Sequence, residues 1–369
     1  MTVPADAVYM QRALELAARG MDGTDPNPRV GCVLVRGGHV VGEGWHERAG
    51  EPHAEVYALR AAGAEARGAT AYVSLEPCSH FGRTPPCVQA LIAAGLARVV
   101  YAAEDPNPLV RGRGAAALVQ AGIEVEGGVL ATQARALNPG FFKRMQTGLP
   151  WVRVKLAASL DGRTALANGV SRWITGERAR ADVQRFRARS SVILSGSGTV
   201  LADDPLLTAR APGVTRQPLR VVLDTQLRVP PGARVYGAEA ASMVCTASAD
   251  AQRRAALRDG GVRVETIPQA ETGGLQLSLV LRRLGELQAN EVWVEAGARL
   301  AGALLRSQLV DELILYVAPC LLGPQGQPLV QLPPISALTE RLALEYRQVE
   351  QLGEDLRIIA VPRPAAGDA

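Results

Sequence analysis

The sequence predicts an α/β fold in two domains. Apolar runs of strand length alternate with periodic segments of helix length along nearly the whole chain. The 369 residues exceed the usual size of one domain. All four histidines (His39, His46, His53 and His80) fall in the first 80 residues, so the two halves carry different chemistries. Composition excludes several classes. With 47% hydrophobic and 21% charged residues the chain is globular, not disordered. Aromatics are only 4%, so aliphatic side chains and alanine must fill the core. A net charge of +4, spread evenly, argues against a nucleic-acid partner. Of the 40 basic residues only two are lysines, Lys143 and Lys155; this reads as coding bias, though it singles out each lysine as a candidate for a specific role. Five cysteines in a chain this long do not form a disulfide framework. No apolar run reaches the ~18–20 residues of a membrane span. The opening MTVPADAVYMQRALELAARG lacks a signal-peptide pattern. The expectation is a soluble cytoplasmic protein without nucleic-acid or membrane partners.

The elements follow in order. Val8, Leu14, Leu16 and Ala17 have helical spacing over 6–19, and Gly20 stops the helix. A Pro-rich loop, DPNPRVG, comes next. Residues 30–36 and 39–45 are apolar runs joined by Gly37-Gly38, a two-residue hairpin signal. A helix over 53–62, a strand over 70–75, a helix over 87–94 and a strand over 98–103 follow. A helix near 113–121 and a short strand near 123–126 complete a mostly parallel, helix-covered sheet with a hairpin at its start. Residues 130–146 read as one helix leaving this unit, and Gly148 and Pro150 then punctuate the chain. A second series opens at WVRVKLAASLDG. It alternates helix 177–188, strand 191–195, strands 219–224 and 242–246, helix 250–258, strand 262–266, helix 276–286, strand 291–295, helix 299–306 and strand 312–318. Two strands near 342–350 and 355–361 close it. The expected domains are 1–146 and 147–366.

The strongest motif is His53-Ala54-Glu55, followed by Pro77-Cys78 and Cys87. One histidine and two thiolates make a three-ligand set for a tetrahedral metal whose fourth position holds water, and the N/S donors favour zinc. Bound zinc lowers the pKa of that water to about 7. In mid-helix, His53 and Glu55 would point about 200° apart. The motif therefore requires the helix to begin near His53, where Pro52 fits. Cys87 follows Pro85-Pro86 at another helix start, which favours a thiolate. Glu55 is then left to shuttle a proton from the water to a leaving amine. This is the H-x-E…P-C-x-x-C arrangement of zinc deaminases, with eight residues, SHFGRTPP, between the cysteines instead of two. The alternatives are a closed structural site, with His80 as fourth ligand, and a pair of unligated thiols. Cys32, among valines in a strand, reads as core.

At this point the segments PNPRVGCVLV, HAE, EPCSHFGRTPPC and DPNPLVRGRG together resemble the bifunctional deaminase–reductases of riboflavin biosynthesis, whose motif has the long cysteine spacing. KLAASLDGRTA, SRWIT, LADDPLLTAR and VEAGARLAGALL extend the resemblance to about residues 6–361. It implies a cytidine-deaminase-like three-layer α/β/α domain followed by a dihydrofolate-reductase-like α/β domain. The first would remove the 2-amino group of a phosphorylated diaminopyrimidinone ribosylamine. His53, Cys78 and Cys87 would bind zinc and Glu55 would move the proton. Asn27, His46, His80 and Arg83 would hold the base and phosphate.

The second half is less explicit from its residues alone. Ser195–Thr199 gives a G-x-G without a third glycine, and Gly297–Gly302 has P-loop glycine spacing without the lysine and hydroxyl. Both run from a strand through glycine, where exposed N–H groups suit phosphate or serve an ordinary turn. The resemblance implies an NADPH-dependent reductase that opens the ribose and delivers hydride to its C1′, giving a ribityl chain. Ala157, Trp173, Thr199, Asp203, Thr225 and the run Gly297, Ala298, Arg299, Leu300, Ala301, Gly302, Ala303 would contact the cofactor. Ser171, Arg187, Leu206, Arg210 and Glu295 would contact substrate, the arginines suiting phosphate. Lys155 would donate to the ribose or stabilise developing charge. Family members are oligomeric, which implies a homo-oligomer. Lys143 reads as a solvated surface residue.

Overall fold

The computed structural model describes residues 5–79, 85–108, 110–271 and 273–363. Two compact units emerge, Met1–Leu149 and Pro150–Ala369.

Unit one contains α1 (Ala5–Arg19), β1 (Gly31–Arg36), β2 (His39–Trp45), α2 (Ala54–Ala62), β3 (Thr70–Leu75), α3 (Cys87–Ala93), β4 (Arg98–Ala103), α4 (Arg113–Gln120), β5 (Glu124–Gly127), α5 (Ala131–Leu137) and α6 (Pro139–Thr147). The sheet order is β2-β1-β3-β4-β5. Alternation along the strands builds two cores. Cys32, Leu34 and Val73 face α2, α3 and α4, while Val33, Val35 and Tyr72 face α1, α5 and α6. This is the three-layer α/β/α architecture. Glycine makes the close approach possible on both faces. A Cβ at Gly31 would lie 2.0 Å from the Ala13 carbonyl of α1, and one at Gly44 2.5 Å from the Ala54 carbonyl of α2.

Two expectations change here. The sheet is less parallel than expected, because β1 runs antiparallel to both β2 and β3. The Gly37-Gly38 hairpin puts β2 outside β1, and α2 crosses back over β1 to deliver β3. The helix expected over 130–146 is two helices broken at Asn138. The Asn138 amide accepts from Arg29 N at 2.8 Å and donates to Arg29 O at 2.9 Å, clamping a distant backbone, and Pro139 starts the next helix.

Unit two contains β6 (Trp151–Ser159), β7 (Arg163–Ala165), α7 (Glu177–Arg189), β8 (Val192–Gly196), α8 (Ser197–Asp203), β9 (Leu219–Leu223), β10 (Ser242–Thr246), α9 (Ala251–Asp259), β11 (Arg263–Thr266), α10 (Leu277–Glu286), β12 (Glu291–Glu295), α11 (Ala298–Arg306), β13 (Glu312–Ala318), β14 (Gln327–Pro328), β15 (Leu344–Leu352) and β16 (Asp355–Pro362). Its sheet runs β11-β10-β9-β8-β12-β6-β13-β16-β15. The first seven strands are parallel, and β16 and β15 close the edge antiparallel. Phe186 of α7 stacks on Trp293 of β12 with centroids 4.8 Å apart, fixing the helix over the sheet centre. The short elements β7, β14 and α8 have no periodicity long enough to read in the sequence. No helix among the described residues is long and apolar enough to cross a membrane.

Candidate active sites

In unit one, two helix starts converge on one point. His53 is the N-cap of α2 with extended backbone angles, and Cys87 is the first residue of α3. Cys78 lies just past β3. The ligand atoms of His53, Cys78 and Cys87 all lie within 4.8 Å of one another, a spacing suited to a single metal ion. His53 Nδ1 is 3.1 Å from Cys87 Sγ and 3.5 Å from Cys78 Sγ. The backbone N–H of Cys87 also donates to Cys78 Sγ at 3.4 Å. Hydrogen bonding from Cys87, and then from His53, draws the Cys78 thiol pKa down, while Cys87, the donor of that pair, is pushed up. The donor set fits zinc: one imidazole, two thiols and no further ligand within the cluster among the described residues.

Because α2 begins right after His53, Glu55 sits in its first turn and points inward, 3% exposed. Burial raises its carboxyl pKa, and Oε2 has no hydrogen-bond partner among the described residues. A buried, unpaired carboxylate oxygen next to a metal cluster is costly unless a ligand occupies it.

Asn27 and His46 come together beside this cluster. The Pro52 carbonyl can only accept, so His46 Nδ1 donates to it at 3.0 Å. His46 Nε2 therefore accepts from Asn27 Nδ2 at 3.0 Å, which fixes the Asn27 amide. Burial lowers the His46 pKa, which favours the neutral ring this role needs. The His46 and His53 rings meet edge-on, 5.2 Å apart. His80 and Arg83 lie outside the described residues. Sequence reasoning missed Glu76. Its buried carboxylate accepts backbone N–H from Asp105, Gly112, Gly114 and Ala115 at 3.0–3.3 Å, tying the 105–115 segment to the residue pair leading into Cys78. The only signal in the sequence was its place beside Pro77-Cys78.

In unit two Ala157, Thr199, Thr225, Glu295 and Gly297 lie at or just past the carboxyl ends of β6, β8, β9 and β12, where open α/β sheets bind ligands. Glu295 ends β12. Lys155 of β6 pairs with it in register, on the same face. Arg187 reaches from α7 with Nε 2.5 Å and Nη2 2.8 Å from the Glu295 carboxylate, and Nη1 2.9 Å from the Thr208 carbonyl. Burial alone would raise the Glu295 pKa; Arg187, and then Lys155, outweigh it and hold the carboxyl near 2. Burial lowers the Lys155 pKa, against the pull of Glu295. Trp293, also missed in the sequence, donates from Nε1 to Glu295 at 2.7 Å. In this structure its fork is joined to Glu295 and the Thr208 backbone, so Arg187 also positions Glu295, and the expected contact with substrate phosphate is a matter for the proposal below.

Two glycine turns lie side by side at the ends of β8 and β12. Thr199 Oγ1 accepts from Gly297 N at 3.2 Å, and Ser195 Oγ donates to the Glu295 carbonyl at 2.7 Å. Gly196 and Gly297 have φ of −98° and −72°, open to any residue. A Cβ at Gly198 would meet nothing within 4 Å, and at Gly196 and Gly297 only atoms 3.6 and 4.0 Å away. Neither backbone nor packing demands glycine there, so the room between the turns fits a bound phosphate chain such as that of NADPH. Gly302 differs, since a Cβ would lie 2.0 Å from the Gln331 carbonyl. Ala301 and Gly302 are buried inside α11, and Ala301 N already bonds to Gly297 O. Within the run Gly297–Ala303, the backbone N–H groups of Ala298, Arg299 and Leu300 are the first-turn donors, Ala301 and Gly302 are buried in the helix, and Ala303 is half-buried.

Thr225 is half-buried after β9, with its carbonyl held by Thr246 Oγ1 and Ala247 N. Trp173 is 72% exposed, with Arg180 4.8 Å from its ring centroid, and Arg172 bonds the Asp203 carbonyl. Arg210 Nη1 holds the Thr208 hydroxyl. Arg220 Nη1 holds the Leu206 carbonyl. Ala157 and Ser171 are half-buried, on β6 and just before Arg172.

Comparison with known proteins accords with this geometry. The RibD C-terminal domain profile matches residues 150–358, and that of the cytidine and deoxycytidylate deaminase zinc-binding region matches 4–103. The riboflavin biosynthesis protein RibD of Escherichia coli (strain K12) is 50% identical over 95% of this chain and 98% of its own length. That of Haemophilus influenzae is 47% identical over 97% and 98%. A solved Acinetobacter baumannii RibD superposes with a TM-score of 0.91 at 45% identity, covering 98% of this chain and 99% of that one. A diaminohydroxyphosphoribosylaminopyrimidine deaminase/5-amino-6-(5-phosphoribosylamino)uracil reductase from Thermotoga maritima gives 0.85 at 32% identity, covering 97% and 99%. The chain belongs to the RibD family of bifunctional riboflavin-biosynthesis deaminase–reductases.

Proposed function

We propose that this chain performs two successive reactions of riboflavin biosynthesis: hydrolytic deamination of 2,5-diamino-6-(5-phosphoribosylamino)pyrimidin-4(3H)-one in unit one, then NADPH-dependent reduction of the ribosyl chain in unit two, giving 5-amino-6-(5-phosphoribitylamino)uracil. The observation that carries it is the buried, unpaired Glu55 oxygen beside the His53–Cys78–Cys87 cluster.

In deamination, His53, Cys78 and Cys87 would hold zinc, which when bound makes water acidic enough to supply hydroxide near neutral pH. Glu55 takes the water proton and passes protons to the ring and the departing amine, so water and substrate give carbonyl and ammonia. Its burial, which raises its pKa, suits a group that must hold a proton in transit. Asn27, fixed by His46, reads the base, with His80 and Arg83 assigned to base and phosphate.

In reduction, NADPH when bound supplies hydride to C1′ of the opened ribosyl imine, and the nitrogen takes a proton. Thr199, Thr225, Trp173, Asp203, Ala157 and the turn led by Gly297 position the cofactor. Lys155 donates to the ribosyl oxygens, and Glu295, held by Arg187, sets its place. Ser171, Arg187, Leu206, Arg210 and Glu295 complete the substrate contacts. The same reading makes the protein a cytoplasmic homo-oligomer.

Mass spectrometry of the products from the phosphoribosyl diaminopyrimidinone, with and without NADPH, tests it. Amine loss without cofactor, and a gain of two hydrogens only with it, is the expected result. No reaction in a zinc-replete preparation overturns it.

A further inference from the structure

We propose that Arg228 reads the adenosine 2′-phosphate and thereby sets the preference for NADPH over NADH; this rests on the cofactor reading above. The strand order supplies the direction. The charged group of Lys155 and Glu295 belongs to β6 and β12, and the open glycine turns follow β12 and β8. A dinucleotide whose diphosphate rests on those turns, with nicotinamide toward β6, carries its adenosine half over the next strands, β9 and β10.

Nucleotide sheets commonly present an acid at such a strand end for the ribose 2′-hydroxyl of NAD, or an arginine for the 2′-phosphate of NADP. The acid after β9 is Asp224, and it is not presented. It is 1% exposed, and its Oδ2 accepts from Val229 N at 2.7 Å. Its Oδ1 has no hydrogen-bond partner among the described residues and lies 4.0 Å from Arg228 Nε. Arg228, four residues on, is presented: its side chain is 54% exposed. Its Nη2 donates to Ser197 Oγ at 2.9 Å, which draws the cation to the residue between Gly196 and Gly198. The guanidinium is thus held at both ends, by Asp224 and Ser197, on the β9 side of the phosphate cradle.

Neighbouring cations are occupied. Arg253 bonds the Leu227 carbonyl and lies 3.5 Å from Asp250, which caps α9. Arg254 bonds the Ser248 carbonyl and the Thr266 hydroxyl. A pre-placed planar fork suits phosphate, and its contribution depends on the 2′-phosphate being present.

The test is calorimetric titration of the full chain with NADPH, NADH, 2′,5′-ADP and 5′-AMP. For Arg228→Ala the expected result is a loss of about 10- to 100-fold for NADPH and 2′,5′-ADP, with NADH and 5′-AMP unchanged. Arg228→Lys should fall between. Reduction of pre-deaminated substrate at saturating NADPH, which uses unit two, reports folding of each preparation. An equal loss for all four probes overturns the proposal and moves Arg228 to the diphosphate. An unchanged NADPH/NADH ratio, or one that shifts instead with Arg253→Ala, also overturns it. If the unaltered protein binds no dinucleotide, the cofactor reading itself fails.

Discussion

The two units solve their chemistry with different materials. Unit one works with side chains at fixed spacing: His53 caps α2, Glu55 sits one step inside it and Cys87 opens α3. Unit two works with what side chains leave open. Gly196, Gly198 and Gly297 are needed by neither backbone nor packing, and the charged group beside them is assembled from Lys155, Arg187 and Glu295 on three separate elements. A site made of side chains tolerates no substitution at its ligands. A site made of room and held charge should lose function in graded steps.

The largest effect should come from Cys87→Ser. Losing one of three ligands should empty the metal site by elemental analysis and lower deamination by a factor on the order of a thousand or more. Reduction of pre-deaminated substrate should persist, and its loss would break the separation between the two units. Glu55→Gln sharpens the same side. Metal should remain while deamination falls about 10²- to 10⁴-fold, and full activity would remove the proton-shuttle role.

Glu295→Gln addresses the other unit. It leaves Arg187 buried and Lys155 half-buried without their counter-charge, so a loss of about 3–5 kcal/mol in stability is expected by denaturant titration, together with reduction. The pH dependence has a definite sign. The Glu295 pKa is lowered on folding to about 2. Its contribution is full above the unfolded value of about 4.3 and is lost as pH falls toward 2. Glu295→Gln should therefore flatten the acid limb of the stability curve between those values. An unchanged limb would show that the charge group is not coupled to folding.

The same contrast explains what the sequence could disclose. Strands and long helices were legible because burial alternates with the right period, as in Cys32–Val35 split between the two cores. The need for α2 to begin at His53 was legible because the spacing of His53 and Glu55 works only there. The tie between Arg187 and Glu295 was not legible because an arginine looks alike whether it faces phosphate or, 108 residues away, a glutamate. Asn138 and Glu76 act through distant backbone partners that no local pattern announces, and Trp293 serves Glu295, two residues on in the same strand, by a side-chain contact that periodicity does not reveal. The run from Gly297 to Ala303 looked uniform, yet Gly297 and Arg299 are exposed while Ala301 and Gly302 are buried.

That last distinction gives the smallest and most discriminating experiment. Gly302→Ala places a Cβ 2.0 Å from the Gln331 carbonyl, against backbone that cannot step aside. It should cost about 1–3 kcal/mol of stability. Gly198→Ala adds a methyl group in open space within α8, where alanine is the better helix former by roughly 0.5–1 kcal/mol. Stability should hold or rise while NADPH binding weakens by a few-fold to about tenfold in calorimetry, because the methyl group occupies room kept for the ligand. If Gly198→Ala binds NADPH as well as the unaltered chain, the glycine turns are ordinary chain reversals, and unit two binds its cofactor with side chains after all.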